Sequence, residues 1–474
     1  MPSFIGATVV MSREPSAGPP PVAPAASAGL VAWQVRIFAI TWLAYAGFYL
    51  TRKGLSIAKV ELKKPEVMGL STETLSAVDG GYLAAYAAGQ FLWGVLCDRF
   101  GTRAVVLGGM AASIAVAVAM GFSGGAVALG ILFALQGICQ SSGWAPLTKN
   151  IGEFFSQRVR GRVMGLWCSN FALGGMIAAV VAGLATRWGG AVVPLPGWLG
   201  GPVELPDAWR MAFFVPAAVL AVIWLLFLAL QANRPEDVGL VPPERERGEP
   251  EAVIVPGESV ADEPEGSWHT VVEVVTSPIV LLLAFVYLFV KPLRYLLMFW
   301  APFYLNERLA TDTAESGILG SLFDLAGPLG IFAGGWASDR LFGSRRFPVM
   351  ATTLFAGGLA LAALPFVPAS RVSLGAMLFV IGALVYIPDS LVSGTAAIDF
   401  GTRRGAGTAA GVINGCGSLG AIVGGTLPGL VKQLSGSDVT PWNTIFFALA
   451  AGLVVAGVCV APQWNRLPPT SRRA

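Results

Sequence analysis

The sequence predicts an all-α membrane protein of twelve transmembrane helices in two pseudosymmetric six-helix bundles. Composition, the spacing of apolar runs and a repeated loop carry that expectation. Of 474 residues, 55% are hydrophobic and 12% charged, where a soluble domain carries roughly 25% charged residues. That balance argues against a water-soluble enzyme, and a net charge of +3 is too small to point to nucleic acid.

Residues 1–32 are Pro- and Ala-rich (PSAGPPPVAPAASAG) and lack the basic start and apolar core of a secretory signal. A disordered cytoplasmic tail is expected there. Apolar stretches then recur at 33–57, 75–97, 104–122, 126–148, 162–186 and 209–231, each about the length that crosses a bilayer core. Six more follow at 278–304, 315–338, 348–367, 373–397, 406–431 and 442–461. Residues 233–276, between the two sets, hold 11 of the 28 acidic residues and six prolines. Such a segment buries too little apolar surface to fold and reads as an acidic, Pro-rich cytoplasmic linker. The expected organisation is an N-terminal bundle at 33–232, that linker, a C-terminal bundle at 277–462 and a cytoplasmic tail at 463–474.

Basic clusters at Arg99/Arg103, Arg158/Arg160/Arg162, Arg345/Arg346 and Arg403/Arg404 favour both termini in the cytoplasm, for a multi-pass protein of the cell (inner) membrane. A repeat supports the two bundles. GVLCDRFGTR runs from Gly94 to Arg103, and GWASDRLFGSRR runs from Gly335 to Arg346. In this loop Asp98 or Asp339 can meet the dipole of the next helix, Gly101 supplies a turn, and Arg99, Arg103 and Arg340 hold the inner interface.

Charges in or against the spans are the candidate functional groups, because a buried charge usually faces a cavity or a partner. They are Arg52, Lys53, Lys149, Lys291 and Arg294. Arg52 lies 42 residues before Gly94 and Arg294 lies 41 before Gly335, so the two arginines occupy matching places and can converge on a central cavity. No acid sits one helical turn from either. Tyr45 and Tyr49 precede Arg52 on one face, and Lys291 precedes Arg294. A guanidinium forks onto phosphate or carboxylate and stays charged, so two of them can clamp a doubly charged tetrahedral anion. Snorkelling to the membrane surface is the competing reading for Arg52 and Lys53. Lys53 is expected to face a neighbouring helix, Lys291 either the cavity or a helix contact, and Lys149 the interface. Asp324 is the expected cavity carboxylate, balancing Lys291 or Arg294 or accepting protons. Asp79, Asp389 and Asp399 lie where capping is as good a reading. Gly411/Gly415 and Gly420/Gly424 fit close helix packing. Five cysteines without a C-x-x-C pair and a single histidine, His269, in a polar linker give no metal site, cofactor or catalytic triad.

At these residues the chain resembles the organophosphate:phosphate antiporters of the major facilitator superfamily. The repeated Asp-Arg loop is similar to the superfamily's loop signature. YAGFYLTRKGLSIA (45–58), QSSGWAPLTKNIGEFFSQRVRG (140–161), RYLLMFWAPFYLNE (294–307), FDLAGPLGIFAGGWASDR (323–340) and GTRRGAGTAAGVINGCGSLGA (401–421) carry the family resemblance. AVDGGYLAAYAAGQF (77–91), LFDLAG and Lys291 are similar to the sugar-phosphate branch of the eukaryotic solute carriers. The resemblance implies phosphate-binding arginines at Arg52 and Arg294, helix-one tyrosines at Tyr45 and Tyr49, and the helix-eight acid at Asp324. It departs at Gln90, where glycerol-phosphate members have lysine, and at Asn170 and Phe171, near a family histidine. The expected function is exchange of an organophosphate for inorganic phosphate by alternating access, in a monomer. Its partners are a small anionic substrate and the lipid bilayer. A proton-coupled organic-anion symporter using Asp324, and a transport-inactive sensor of phosphate esters, are the alternatives.

Overall fold

Long apolar runs have no water to satisfy their peptide groups inside a bilayer, so they close those bonds within helices. The computed structural model describes residues 28–155, 157–194, 202–241, 276–343, 345–395 and 406–466, with isolated positions 243 and 272. The first half of the chain forms α1 (Ala28–Leu62), α2 (Thr72–Gly121), α3 (Ala126–Gln140), α4 (Trp144–Phe154), α5 (Gln157–Trp167), α6 (Ser169–Thr186) and α7 (Ala208–Leu230). The second half forms α8 (Pro278–Leu309), α9 (Thr313–Arg340), α10 (Arg346–Ala363), α11 (Arg371–Ser390), α12 (Ala406–Ser435) and α13 (Trp442–Val460). A two-stranded antiparallel ribbon, pairing Val192 with Glu204 and Val193 with Val203, joins α6 to α7.

Among the described residues, ten helical segments are long and apolar enough to cross a membrane. The expected spans 75–97 and 406–431, parts of which fall on residues whose side chains are not described, are not among these ten. Other bounds also move. The first helix begins at Ala28 and runs to Leu62, five residues beyond each expected end, so it takes in the end of the expected tail. The fourth span continues through α4 to Phe154.

At the first Asp-Arg loop two helical stretches of α2 meet across a kink. The helical bonding of α2 runs through it, broken in conformation only at Gly101, with φ 79° and ψ 161°. That left-handed φ is open to glycine at little cost. Gly343 in the second copy also has positive φ, 57°. Arg103 is bonded within the protein. Its guanidinium donates to the carbonyls of Leu228 and Gln231, capping the end of α7, and its N–H donates to Asn233 Oδ1 at 2.8 Å. The expected linker therefore starts with ordered residues: Asn150 binds the Asn233 carbonyl at 2.9 Å, and Pro235–Val238 form a 3-10 turn. His269 and Asp399 fall outside the described residues, as do the side chains of Gly94, Asp98 and Asp339.

Two helices hold the centre. Almost the whole circumference of α8 is buried, as is the second half of α1. Backbone proximity does much of the packing: a Cβ at Gly424 would stand 2.2 Å from the Pro292 carbonyl oxygen, and one at Gly420 2.6 Å from that of Leu288. So α12 lies directly on α8, as the small-residue pattern suggests. At the end opposite the Asp-Arg loops the two chain halves are bonded. Lys63 pairs with Glu307, the Thr313 hydroxyl meets Glu61, and the Gly429 N–H donates to Ser76 Oγ at 2.8 Å.

Candidate functional site

Arg52 lies on α1, 1% exposed. Its Nε donates to Gln140 Oε1 at 3.0 Å, and its guanidinium stands 4.4 Å from the Tyr49 ring, 4.9 Å from Tyr86 and 5.9 Å from Tyr82. Gln140 is itself fixed. The Tyr82 hydroxyl donates to the same oxygen at 2.7 Å, and the Gln140 amide donates to Thr51 at 2.9 Å. Thr51 meets Ser113, which accepts from Gln136. Side chains from α1, α2 and α3 thus set the orientation of one cation. Nη2 of Arg52 is buried with no hydrogen-bond partner, and no carboxylate pairs with Arg52 among the described residues.

Arg294 lies on α8, its guanidinium 4.6 Å from the Phe171 ring and 5.1 Å from the Tyr386 ring. Aromatic faces attract a guanidinium and leave its edges free to bind. One edge is engaged: Nη1 lies 3.2 Å from Asp389 Oδ2. Nε of Arg294 and Oδ1 of Asp389 are buried and unpartnered. Both arginines act electrostatically on Tyr49 and on Tyr295, so the groups matched by sequence offset come from opposite halves of the chain onto shared neighbours.

Several assignments change. Asp324 balances neither Lys291 nor Arg294: its Oδ2 lies 2.9 Å from Lys53 Nζ, and its Oδ1 accepts from the Tyr386 hydroxyl at 2.8 Å. Lys53 is therefore a bond between the halves, also donating to the Met298 carbonyl at 3.0 Å. Gly175 leaves room for this pair, since a Cβ there would stand 3.1 Å from Asp324 Cγ. Lys291 sits 4.8 Å over Tyr287 and 5.6 Å from Tyr295. Asp389 is no cap but the partner of Arg294. Asp79 is no cap either; it pairs with Lys59, and neither side chain is exposed. Lys59 also lies 3.8 Å over the Trp300 ring.

Tyr45 packs among aromatics, 5.2 Å from Trp144, 5.7 Å from Trp167 and 6.0 Å from Tyr49. Phe171 stacks on Tyr386 at 6.0 Å. Asn170 is buried with neither amide atom bonded. Gln90 is half-buried and Lys149 exposed. In the loops Arg99 lies 5.3 Å from the Phe100 ring, Arg340 is exposed, and Gly335 has open space where a Cβ would stand.

Sequence reasoning missed Lys59, Tyr82, Tyr86, Gln140, Tyr287, Tyr295 and the roles of Asp389 and Tyr386. Some signal was present: Tyr82/Tyr86 and Tyr287/Lys291/Tyr295 each recur at four residues, one helical face. Nothing local marked Gln140 or Asp389.

Buried, oriented guanidinium groups with unpartnered N–H edges suit an anion. Residues 41–425 match the Major Facilitator Superfamily, and the chain belongs to that superfamily. Within it, the relatives fall in the organophosphate:phosphate antiporter family. A glucose-6-phosphate exchanger, SLC37A2, of Xenopus laevis is 26% identical over 90% of this chain and 91% of its own length. A glycerol-3-phosphate transporter of Bacillus subtilis (strain 168) is 29% identical, covering 93% and 94%. The membrane sensor protein UhpC of Escherichia coli (strain K12) is 27% identical, covering 92% and 93%. Among solved structures, a bacterial homologue of the human lysosomal transporter Spinster, inward-facing and unoccupied, shares the fold. Its TM-score is 0.68 at 16% identity, covering 91% of this chain and 95% of that one.

Proposed function

We propose that the chain is a secondary active carrier that exchanges an organophosphate, of the sugar-phosphate or glycerol-phosphate type, for inorganic phosphate by alternating access. The observation that carries this reading is the pair of buried guanidinium groups with unpartnered N–H edges, Nη2 of Arg52 and Nε of Arg294, from opposite halves of the chain. Buried donors left unbonded cost free energy, and an anion between them removes that cost. Around the site stand four buried cations (Arg52, Lys53, Lys291 and Arg294) and two carboxylates (Asp324 and Asp389). The excess of two positive charges suits a dianionic phosphate group.

In the empty carrier the like charges oppose closure of the halves around the site. A bound anion relieves that repulsion, and its higher affinity for the closing state drives the change. Exchange is then faster than net transport. The phosphate end is supplied by Arg52, Arg294 and Tyr49. The end that reads the organic group differs from glycerol-phosphate members at Gln90, Asn170 and Phe171. The 72–100 part of α2 and α12 also cross the membrane in this reading, making twelve spans in two six-helix bundles. Both termini are cytoplasmic, in the cell membrane, and the working unit is a monomer.

The test is phosphate self-exchange in proteoliposomes, with and without trans phosphate. Uptake should require trans phosphate and be lost in Arg52→Lys and Arg294→Lys, which keep the charge but not the fork. Normal exchange by either variant would sink the clamp. The similarity to UhpC favours a second reading, a sensor that binds phosphate esters without carrying them. It predicts phosphate-ester binding by the purified protein with no flux in the same liposomes. Uptake that follows a pH gradient and ignores trans phosphate would instead identify a proton-coupled symporter.

A further inference from the structure

The two arginines of the site are not equivalent. Arg52 is held by a neutral amide and three tyrosine faces, whereas Arg294 has a carboxylate on one edge, Asp389 Oδ2 at 3.2 Å. Asp389 is 1% exposed and its other oxygen bonds to nothing. It comes from α11, where Pro388 sits inside the helix just before a π-helical turn at Leu391–Thr395. A carboxylate with half its acceptors unused is poorly satisfied as a structural ion pair. It is well suited to standing in for an anion that comes and goes.

We propose that Asp389 is the internal counter-anion of the site, holding one edge of Arg294 in the empty carrier and giving it up to the phosphate group of the cargo. This rests on the phosphate-exchange reading. Cargo has to compete with a tethered carboxylate, so Asp389 weakens the resting affinity and speeds release. It also limits the excess charge of the site to two, which favours a dianion. Asp324 does not share this role, because Lys53 and Tyr386 occupy it.

The experiment measures phosphate self-exchange as a function of phosphate concentration for the full chain, Asp389→Asn, Asp389→Ser and Arg294→Lys. Removing the competing charge should lower the half-saturating phosphate about tenfold, equivalent to about 1.4 kcal/mol, and should lower the maximal rate as release slows. In detergent, a fixed phosphate concentration should raise Tm more in Asp389→Asn than in the unsubstituted chain. A merely structural aspartate predicts the reverse, weaker or unchanged half-saturation. Exchange that is lost in Arg294→Lys but has unchanged half-saturation in both neutral Asp389 variants would overturn this proposal and leave the exchange reading standing. Absence of any phosphate binding or exchange by the unsubstituted chain would overturn both. If neither neutral variant folds, the carboxylate is structural and the proposal fails.

Discussion

Lys59 and Asp79 show how a single residue pair escapes a reading of the sequence. Both are fully buried, joined to each other, with the Lys59 ammonium over Trp300 and donating to the Phe299 carbonyl. The pair joins α1 to α2 and touches α8, so it helps close the molecule at the end away from the Asp-Arg loops. Breaking a buried pair strands a charge, which costs about 3–5 kcal/mol, while replacing both partners with apolar groups is often neutral. Thermal unfolding in detergent should therefore show a large loss for Lys59→Met alone, and recovery when Asp79→Leu is added. A single variant as stable as the parent would mean the pair is not buried in solution. The same reasoning separates Asp324 from Asp389: one carboxylate has a lysine and a tyrosine hydroxyl, the other has a guanidinium edge and a free oxygen.

Among the elements, α8 and α12 depend on glycine for their separation. The Pro292 carbonyl lies where a side chain at Gly424 would begin, while the space beside Gly415 is open. Gly424→Ala should thus reduce folded yield and Tm, and Gly415→Ala should leave both nearly unchanged. Equal effects at the two positions would contradict the close approach. The glycine spacing was visible in the sequence because four-residue steps fall on one helical face; the helix it meets was not. Helix bounds were legible to within a few residues where apolar runs were long. They failed where a polar side chain was buried, as at Lys59, because hydropathy counts that residue against the span whatever partner it finds.

For the whole molecule, the proposed alternating access requires the bonded end to open. Lys63–Glu307, Thr313–Glu61 and Thr72–Thr440 span the two halves there. Cysteines replacing Lys63 and Glu307, in a chain whose five native cysteines are replaced, should form a disulfide that stops exchange until it is reduced. Exchange at full rate through an intact cross-link would exclude the opening of this end.

The sequence by itself determined the class of protein, because a bilayer admits few ways to satisfy long apolar runs, and the paired offsets of Arg52 and Arg294 survive as a property of the repeat. The tertiary structure decided which charge meets which. Asp389 reaches Arg294 from 95 residues away and Asp324 reaches Lys53 from the other half of the chain. Ion pairs form by distance in space, and no local period, propensity or cap signal encodes a partner on another helix. The distinction between an arginine held by an amide and one held by a carboxylate is therefore a property of the packed helices alone.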